Sequence, residues 1–248
     1  MKKSSLLLIP AALLPLALSA CGGKDGAASD TPKVSAGEAV PPPAGKAWSD
    51  IVSVSDKGGY VMGNPNAALK VAEFGSFTCS HCADFAARSS DELKTMVDTG
   101  KLSFEFRPFV RDPLDMTVAL LAGCNGPEPY FPLSHQLFAN QPALFEKAQA
   151  AGEKAYGDAM NQPPATRFVA LAQLLGLIDF VKQRGVSEDK AKQCLSDTKQ
   201  AEALAAHVQE ANNSYNITGT PTLLLNGAVV KDVATWDLMR EKLKEAGL

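Results

Sequence analysis

Residues 73–82 read EFGSFTCSHC and lie where a strand-like pattern gives way to a helical one. Residues 69–74 form a short, mostly apolar run bounded by Pro65 and Gly75, which is typical of a strand. After Cys82, apolar and small residues recur at steps of three and four, so a helix is predicted as far as Gly100. Residues 102–106 again have the character of a strand. This order of elements predicts a parallel βαβ unit with a right-handed crossover.

Two cysteines, Cys79 and Cys82, stand at the predicted start of this helix. The first turn of a helix has unpaired backbone N–H groups and carries partial positive charge. A thiolate placed there is stabilised, so its pKa falls and it becomes both a nucleophile and a good leaving group. Cys79 is therefore the candidate for attack, and Cys82 is the candidate that resolves a mixed disulfide. His81 can add positive charge or a hydrogen bond to the Cys79 thiolate.

Two other interpretations of this Cys-x-x-Cys pair stay open at this point. The pair could form half of a zinc or copper site, although tetrahedral zinc needs more ligands and the chain has no second such pair. It could also be an inert structural disulfide, but a disulfide that closes so short a loop stabilises the fold little. The position of the cysteine pair at the start of a helix favours thiol–disulfide exchange, which needs neither an organic cofactor nor a metal.

The rest of the chain is predicted to be helical first and then strand-like. Within residues 114–215, the candidate helices cover residues 114–123, 132–139, 143–151, 165–175, 187–196 and 199–215. Strand character returns at residues 222–225 and 228–231. Asn226-Gly227 between them is a strong hairpin signal, because both residues tolerate positive φ. A last helix is predicted over residues 235–246.

Two motifs together resemble those of DsbA-like proteins in the thioredoxin superfamily. They are residues 73–82 and the sequence Gly219-Thr220-Pro221-Thr222 with the apolar run that follows it. The resemblance implies an α/β, thioredoxin-like fold formed by residues 47–113 and 216–248. Residues 114–215 would then be an inserted all-helical domain. One departure is Ser80, which stands where DsbA has proline and leaves the redox potential open.

The resemblance also implies roles for individual residues. Pro221 is expected in cis beside the active-site pair, with the Thr220 backbone pairing to an incoming peptide strand. Glu73 is expected to be buried in its strand, where a raised pKa lets it pass protons to and from the second cysteine. Ser80 and His81 are expected to tune the redox potential, and His81 is similar to the histidine of the oxidising members.

Cys124 and Cys194 lie in the predicted helical block, in positions similar to those of a second disulfide in some DsbA-like proteins. A bond between them would close a loop of about 70 residues and, in the chain-entropy model, stabilise the fold by about 4 kcal/mol. A second redox-active pair is the alternative, but nothing near Cys124 resembles an activating motif. His135 and His207 are interpreted as packed or partly exposed helix residues without a catalytic role.

The N-terminus resembles a bacterial lipoprotein leader. A short apolar run ends in Leu18-Ser19-Ala20-Cys21, which is similar to a lipobox, and the run is too short to span a bilayer. Residues 1–20 are therefore expected to be a signal peptide and Cys21 to carry the lipid. Residues 21–46 are expected to form a disordered tether. The protein would then lie on the periplasmic side of the cell envelope, and Gly22 favours the outer membrane.

The sequence as a whole predicts a lipid-anchored enzyme that donates its Cys79–Cys82 disulfide to extracytoplasmic proteins with cysteines. A redox partner is then needed to reset the pair. The net charge of −3 and the lack of a basic block give no indication of nucleic-acid binding. The tether leaves no room for a dimerisation domain, which favours a monomer. A reductase or isomerase of the same superfamily is the first alternative, because Thr220 before Pro221 is similar to isomerases. A lipoprotein that binds copper or zinc without catalysis is the second.

Overall fold

The computed structural model describes residues 35–248, and its centre is a six-stranded mixed sheet. The strands are β1 (Val52–Val54), β2 (Tyr60–Gly63), β3 (Leu69–Gly75), β4 (Leu102–Pro108), β5 (Thr222–Leu225) and β6 (Ala228–Val229). They lie in the order β1-β2-β4-β3-β5-β6, with β3 and β4 parallel and the other neighbours antiparallel. The predicted βαβ unit and the C-terminal hairpin therefore form one sheet, in which β3 lies between β4 and β5.

Nine α-helices accompany this sheet within residues 35–248. They are α1 (Ser80–Asp98), α2 (Pro113–Ala122), α3 (Tyr130–Ala139), α4 (Gln141–Met160), α5 (Pro164–Leu174), α6 (Leu177–Lys182), α7 (Glu188–Leu195), α8 (Thr198–Tyr215) and α9 (Trp236–Glu245). Helices α2 to α8 follow one another directly between β4 and β5. The predicted α/β, thioredoxin-like fold with a helical insertion is therefore confirmed.

Three elements differ from the sequence-based expectation. The hairpin of β1 and β2 is not predicted, because β1 has only three residues and two of them are exposed. Helix α6 is not predicted either, since it has six residues and too little length for a periodic pattern. Helix α4 is predicted only to residue 151, whereas it continues to Met160 beyond Gly152, whose φ of 77° interrupts the helix.

The two faces of the central strand β3 pack against different helices. On one face, Glu73 shares a packed region with Ser89 of α1 and Phe138 of α3. On the other face, Phe74 contacts Tyr215 at the end of α8, with ring centroids 5.3 Å apart. The last helix of the predicted insertion thus covers the second face of the sheet, so the insertion is not a separate body beside it.

A disulfide joins two helices within the insertion. Cys124 follows α2 and Cys194 lies in α7, and their Cα atoms are 5.7 Å apart across a sequence separation of 70. The bond therefore ties the beginning of the insertion to its later part. It lies apart from the other two cysteines of the described chain, Cys79 and Cys82, which are free thiols.

The chain just before the first strand differs from the expected disordered tether. Ala36 is buried, and its N–H donates to the Ala246 carbonyl at 2.7 Å. The Val40 N–H donates to the Thr99 carbonyl at 3.1 Å, beside the end of α1. Backbone hydrogen bonds therefore hold part of residues 35–46 on the folded domain, and the expected tether does not reach residue 46.

Several expectations lie outside the described residues. They concern the signal peptide (residues 1–20), the lipid on Cys21 and the tether as far as residue 34. Within residues 35–248, no helix combines the length and the apolar character that a membrane span requires. The signal peptide and the lipid anchor stay predictions, because both lie outside the described residues.

Candidate active site

The cysteine pair lies at the junction of β3 and α1. Cys79 caps the N-terminus of α1 in an extended conformation, with φ −98° and ψ 119°. Its N–H donates to the Ser76 carbonyl and its carbonyl accepts from the Ala83 N–H, both at 3.1 Å. Cys79 is 5% exposed, whereas Cys82 is 0% exposed. A substrate sulfur can therefore reach the first cysteine but not the second.

The start of the helix stabilises the charged form of Cys79. The largest cause is a hydrogen bond with the Cys82 side chain, and the backbone N–H groups of Cys82 and His81 add to it. Together they lower the pKa of Cys79 from 9.0 to about 4. Burial raises the pKa of the Cys82 thiol above its ordinary value. At neutral pH Cys79 is therefore the stronger candidate for the nucleophile, whereas burial favours the protonated form of Cys82.

A loop from the C-terminal part of the chain faces Cys79. The Thr220–Pro221 peptide bond in this loop is cis. The Thr220 carbonyl oxygen is 3.1 Å from Cys79 Sγ, although the two residues are 141 positions apart. The Thr220 hydroxyl is buried, has no other partner among the described residues and adds to the stabilisation of the thiolate. The fold therefore brings the two predicted motifs together at one sulfur atom.

Glu73 is a buried acid beneath this pair. It is 2% exposed and lies between Phe106 of β4 and Leu223 of β5. Burial is the main reason why its pKa rises from 4.5 to about 8; the negative charge of Cys79 raises the pKa further, and a hydrogen bond with Cys82 opposes the rise. Its Oε1 has no hydrogen-bond partner among the described residues. The carboxyl group therefore lies where it can exchange a proton with the Cys82 thiol.

The two residues between the cysteines, Ser80 and His81, have exposed side chains on the first turn of α1. His81 lowers the pKa of Cys79 through its backbone N–H. Any non-proline residue at this position would supply that N–H, so the charge or hydrogen bond expected from the His81 side chain stays a prediction.

Buried side chains of the helical insertion hold the loop between β3 and α1, and no sequence motif predicts them. Asp115 is 1% exposed and accepts hydrogen bonds from the N–H groups of Phe77 (2.8 Å) and Arg111 (3.0 Å). Burial raises the pKa of Asp115 from 3.8 to about 6. Gln141 is 4% exposed and donates to the carbonyls of Phe77 (2.8 Å) and Cys79 (3.1 Å). The insertion thus fixes the backbone that carries the nucleophile.

A second group of contacts holds Thr78 in the same loop. Its hydroxyl donates to Asp112 Oδ2 at 2.7 Å, and its carbonyl accepts from Arg111 Nη2 at 2.8 Å. Asp112 could have been found in the sequence, because an aspartate before a proline is a common start of a helix. Gln141 has no such signal, since its partners lie more than 60 positions away and only the tertiary fold brings them close.

The metal-binding alternative gains no further ligand from the structure. Among residues 35–248, no group of three or more His, Cys, Asp and Glu side chains is placed to hold a metal ion. Cys79 and Cys82 therefore have no additional ligand there with which to form a copper or zinc site.

A family model described as Thioredoxin matches residues 55–245. This range is more than half of the 248-residue chain and includes the sheet, the insertion and both active-site motifs. The chain therefore belongs to the thioredoxin family.

Several individual proteins are similar to the chain. A crystal structure of a protein-disulfide isomerase from Novosphingobium aromaticivorans has a TM-score of 0.72 at 36% identity and covers 77% of this chain and 98% of that one. The structure of Wolbachia pipientis alpha-DsbA1 has a TM-score of 0.59 at 21% identity, over 75% of this chain and 89% of that one, which confirms the DsbA-like fold.

A third relative comes from Rickettsia bellii, and a protein-disulfide oxidoreductase activity has been attributed to it. It is 28% identical over 173 residues, which are 69% of this chain and 58% of the relative. The chain thus spans less than two thirds of that relative's length.

Proposed function

We propose that the chain is an extracytoplasmic thiol–disulfide oxidoreductase that donates the Cys79–Cys82 disulfide to substrate proteins. The observation that carries this proposal is the position of Cys79 at the N-terminus of α1, with its Sγ 3.1 Å from the Thr220 carbonyl oxygen of the Thr220–Pro221 loop. Hydrogen bonds at this position lower the pKa of Cys79 to about 4. A thiolate stabilised in this way favours the reduced pair over the disulfide, so the oxidised form is a strong oxidant. The names of the relatives support chemistry between thiols and disulfides.

The reaction runs through a mixed disulfide at Cys79. A substrate thiolate attacks Cys79 Sγ, and Cys82 leaves as a thiolate that takes a proton from the Glu73 carboxyl group. A second substrate thiolate then attacks the substrate sulfur of the mixed disulfide and releases Cys79 as a thiolate. The backbone of Thr220 pairs with the substrate strand beside Pro221. These steps need no metal or organic cofactor.

Ser80 and His81 have a separate part in this proposal. Both are exposed next to the nucleophile, so they are placed to adjust the redox potential and to meet the substrate. A redox partner must then reoxidise the pair after each turnover.

The measurement that tests the direction of the reaction is the reduction potential of the Cys79–Cys82 pair against glutathione. A potential near about −120 mV, typical of strong protein oxidants, supports the oxidase, whereas one near about −270 mV, as in thioredoxin, refutes it. The variant Cys82→Ser should retain a substrate as a mixed disulfide at Cys79, which mass mapping detects. Adding Cys124→Ser and Cys194→Ser to this variant should leave that trapping unchanged, because these two cysteines form the other disulfide.

A disulfide isomerase is the second candidate, and one observation favours it. The relative of 36% identity is named a protein-disulfide isomerase. Refolding assays separate the two activities, because an oxidase acts on a fully reduced substrate and an isomerase acts on one with scrambled disulfides. Faster recovery of the scrambled substrate than of the reduced one would favour the isomerase.

We propose further that Cys21 carries a lipid that anchors the protein, as a monomer, on the periplasmic side of the outer membrane. The lipobox-like sequence before Cys21 supports this proposal. Metabolic labelling with a fatty acid should label the wild-type protein and not Cys21→Ser, and the variant should move to the soluble fraction. Equal labelling of both proteins would refute the anchor. Separation of the two membranes then tests its location, and light scattering of the soluble domain tests the monomer.

A further inference from the structure

A small cavity lies beside Glu73, between the sheet and helices α1 and α3. Most of its wall is apolar, and the polar part of the wall consists of five residues: Glu73, Ser89, Ser90, Ser134 and His135. The cavity has room for about one water molecule, and its polar atoms are enough to bind one.

Two polar atoms at this cavity are buried and have no hydrogen-bond partner among the described residues. They are Glu73 Oε1 and Ser134 Oγ, in residues that are 2% and 3% exposed. An unpaired buried polar atom costs about 1 to 3 kcal/mol, so such atoms normally bind water. The Tyr130 hydroxyl, one turn earlier on α3, is also buried and has the Ser134 hydroxyl beside it. The free acceptor positions of Glu73 and Ser134 mark a place where a water molecule can connect Glu73 to α3.

His135 connects this cavity to the surface. It lines both the cavity and a surface groove, and its side chain is partly exposed. Burial lowers the pKa of His135, and Asp91 on α1 opposes that shift. The other charged residues of the groove are Asp50 before β1, Lys94 on α1 and Glu128 before α3. A neutral imidazole can accept a proton on one ring nitrogen and donate one from the other.

We propose that Glu73 exchanges its proton with solvent through this cavity, by way of Ser134 and His135, and not through the opening at Cys79. This inference rests on the proposed function and deepens it. The active-site opening is a poor route, because Cys82 is 0% exposed and a substrate covers Cys79 in the mixed disulfide. The cavity stays available at that stage, since its lining comes from β2, β3, β4, α1 and α3 and not from the Thr220–Pro221 loop.

The protons and electrons balance along this route. When the substrate thiolate attacks Cys79, the electron pair of the Cys79–Cys82 bond leaves with Cys82. The Cys82 thiolate takes the Glu73 proton, and the Glu73 carboxylate takes a proton from the cavity water. That water, bound by the Ser134 hydroxyl, is reprotonated by His135, which takes a proton from solvent. One proton thus enters along this route for each disulfide donated, and the pair ends as a thiolate at Cys79 and a thiol at Cys82. The two substrate thiols release two protons to solvent when they ionise, so the complete reaction with a dithiol releases one proton.

The test follows proton uptake after rapid mixing of the oxidised full-length protein with a small aromatic thiol that is already ionised at neutral pH, in weakly buffered solution with a pH indicator. Such a thiol releases no proton of its own when it attacks Cys79, so the signal reports the proton taken up for Cys82. Oxidation of a reduced model peptide is followed in parallel. We expect His135→Leu to slow proton uptake by about tenfold or more, the scale of a lost acid–base group. Ser134→Ala, which removes only a hydroxyl, should slow it in the same direction. The control is His207→Leu on α8, since His207 lines a different groove, and it should leave proton uptake unchanged.

Two further readouts separate a proton route from a structural role. The reduction potential of His135→Leu should equal that of the wild type, because a route changes the rate and not the end states. In a Glu73→Gln background, His135→Leu should slow the reaction no further, since the two residues act in one path. Unchanged proton uptake in both His135→Leu and Ser134→Ala, or a changed potential in His135→Leu, would overturn the proposal. Failure of the wild-type protein to oxidise the peptide would instead overturn the proposed function.

Discussion

Replacing Glu73 by glutamine should change how the stability of the reduced protein depends on pH. The folded protein raises the pKa of Glu73 from 4.5 to about 8, mainly by burial. Between these two pH values the folded state binds more protons than the unfolded state. The contribution of Glu73 to the unfolding free energy is therefore full below pH 4.5 and is lost as the pH rises through 8. The difference between the two pKa values corresponds to about 5 kcal/mol once the carboxyl group is ionised.

The assay is urea unfolding of both proteins between about pH 5 and about pH 8, with Cys79 and Cys82 reduced and the other disulfide intact. The unfolding free energy of Glu73→Gln minus that of the wild type should increase by about 1.4 kcal/mol per pH unit over this range. The pH dependence of the Cys79 thiolate is common to both proteins and largely cancels. Glu202→Gln, at an exposed position of α8, controls for the loss of a surface carboxylate. A difference that stays constant with pH would refute the assignment of Glu73 as the proton store.

Three further predictions concern the cysteines and the residue that holds their loop. The alkylation rate of Cys79 should titrate near pH 4. The contribution of the Cys79 thiolate to the unfolding free energy should be full above pH 9 and lost as the pH falls through 4. An alkylation rate that follows a pKa near 9 would contradict this. Gln141→Leu removes the side-chain donor of the buried Phe77 carbonyl and leaves the Cys79 carbonyl with the Ala83 N–H alone, so urea unfolding should show a loss of about 1 to 3 kcal/mol, and an unchanged midpoint would contradict it. Replacing Cys124 and Cys194 together by serine should lower stability by about 4 kcal/mol while the alkylation rate of Cys79 stays the same; a changed rate would point to a redox role for the second pair.

The parts of the fold that the sequence predicts are those that depend on neighbours along the chain. Strand β3 and helix α1 follow from a local change in the spacing of apolar residues, and the C-terminal hairpin follows from Asn226-Gly227. The hairpin of β1 and β2 is missed because its strands are short and only partly buried, so their place is decided by the pairing of β2 with β4 and of β1 with β2. Helix α6 is missed as well, because it has only six residues.

The residues of the candidate site also divide into those that the sequence predicts and those that only the tertiary fold brings together. Cys79 and Cys82 can be chosen from the sequence because most of the causes that lower the pKa of Cys79, namely the Cys82 side chain and the N–H groups of the first helical turn, lie within three residues of it. The burial of Glu73 follows from its place in an apolar strand. The roles of Asp115 and Gln141 could not be predicted, because a polar residue near a helix start is usually a solvated one. Only the packing of the insertion against the active-site loop brings these two side chains to Phe77 and Cys79.

The electrostatics of Glu73 and Cys79 are best understood as those of one unit. The thiolate is stabilised by hydrogen bonds at the helix start, and its negative charge is one of the causes that keep the buried carboxyl protonated. Between about pH 4 and about pH 8 the unit therefore holds one negative charge and one proton. That proton is what Cys82 needs when it leaves as a thiolate, because its own burial disfavours the charge. The burial of the Glu73 carboxyl group with one unpaired oxygen weakens the fold. The same carboxyl group supplies the proton without which Cys82 would be a poor leaving group.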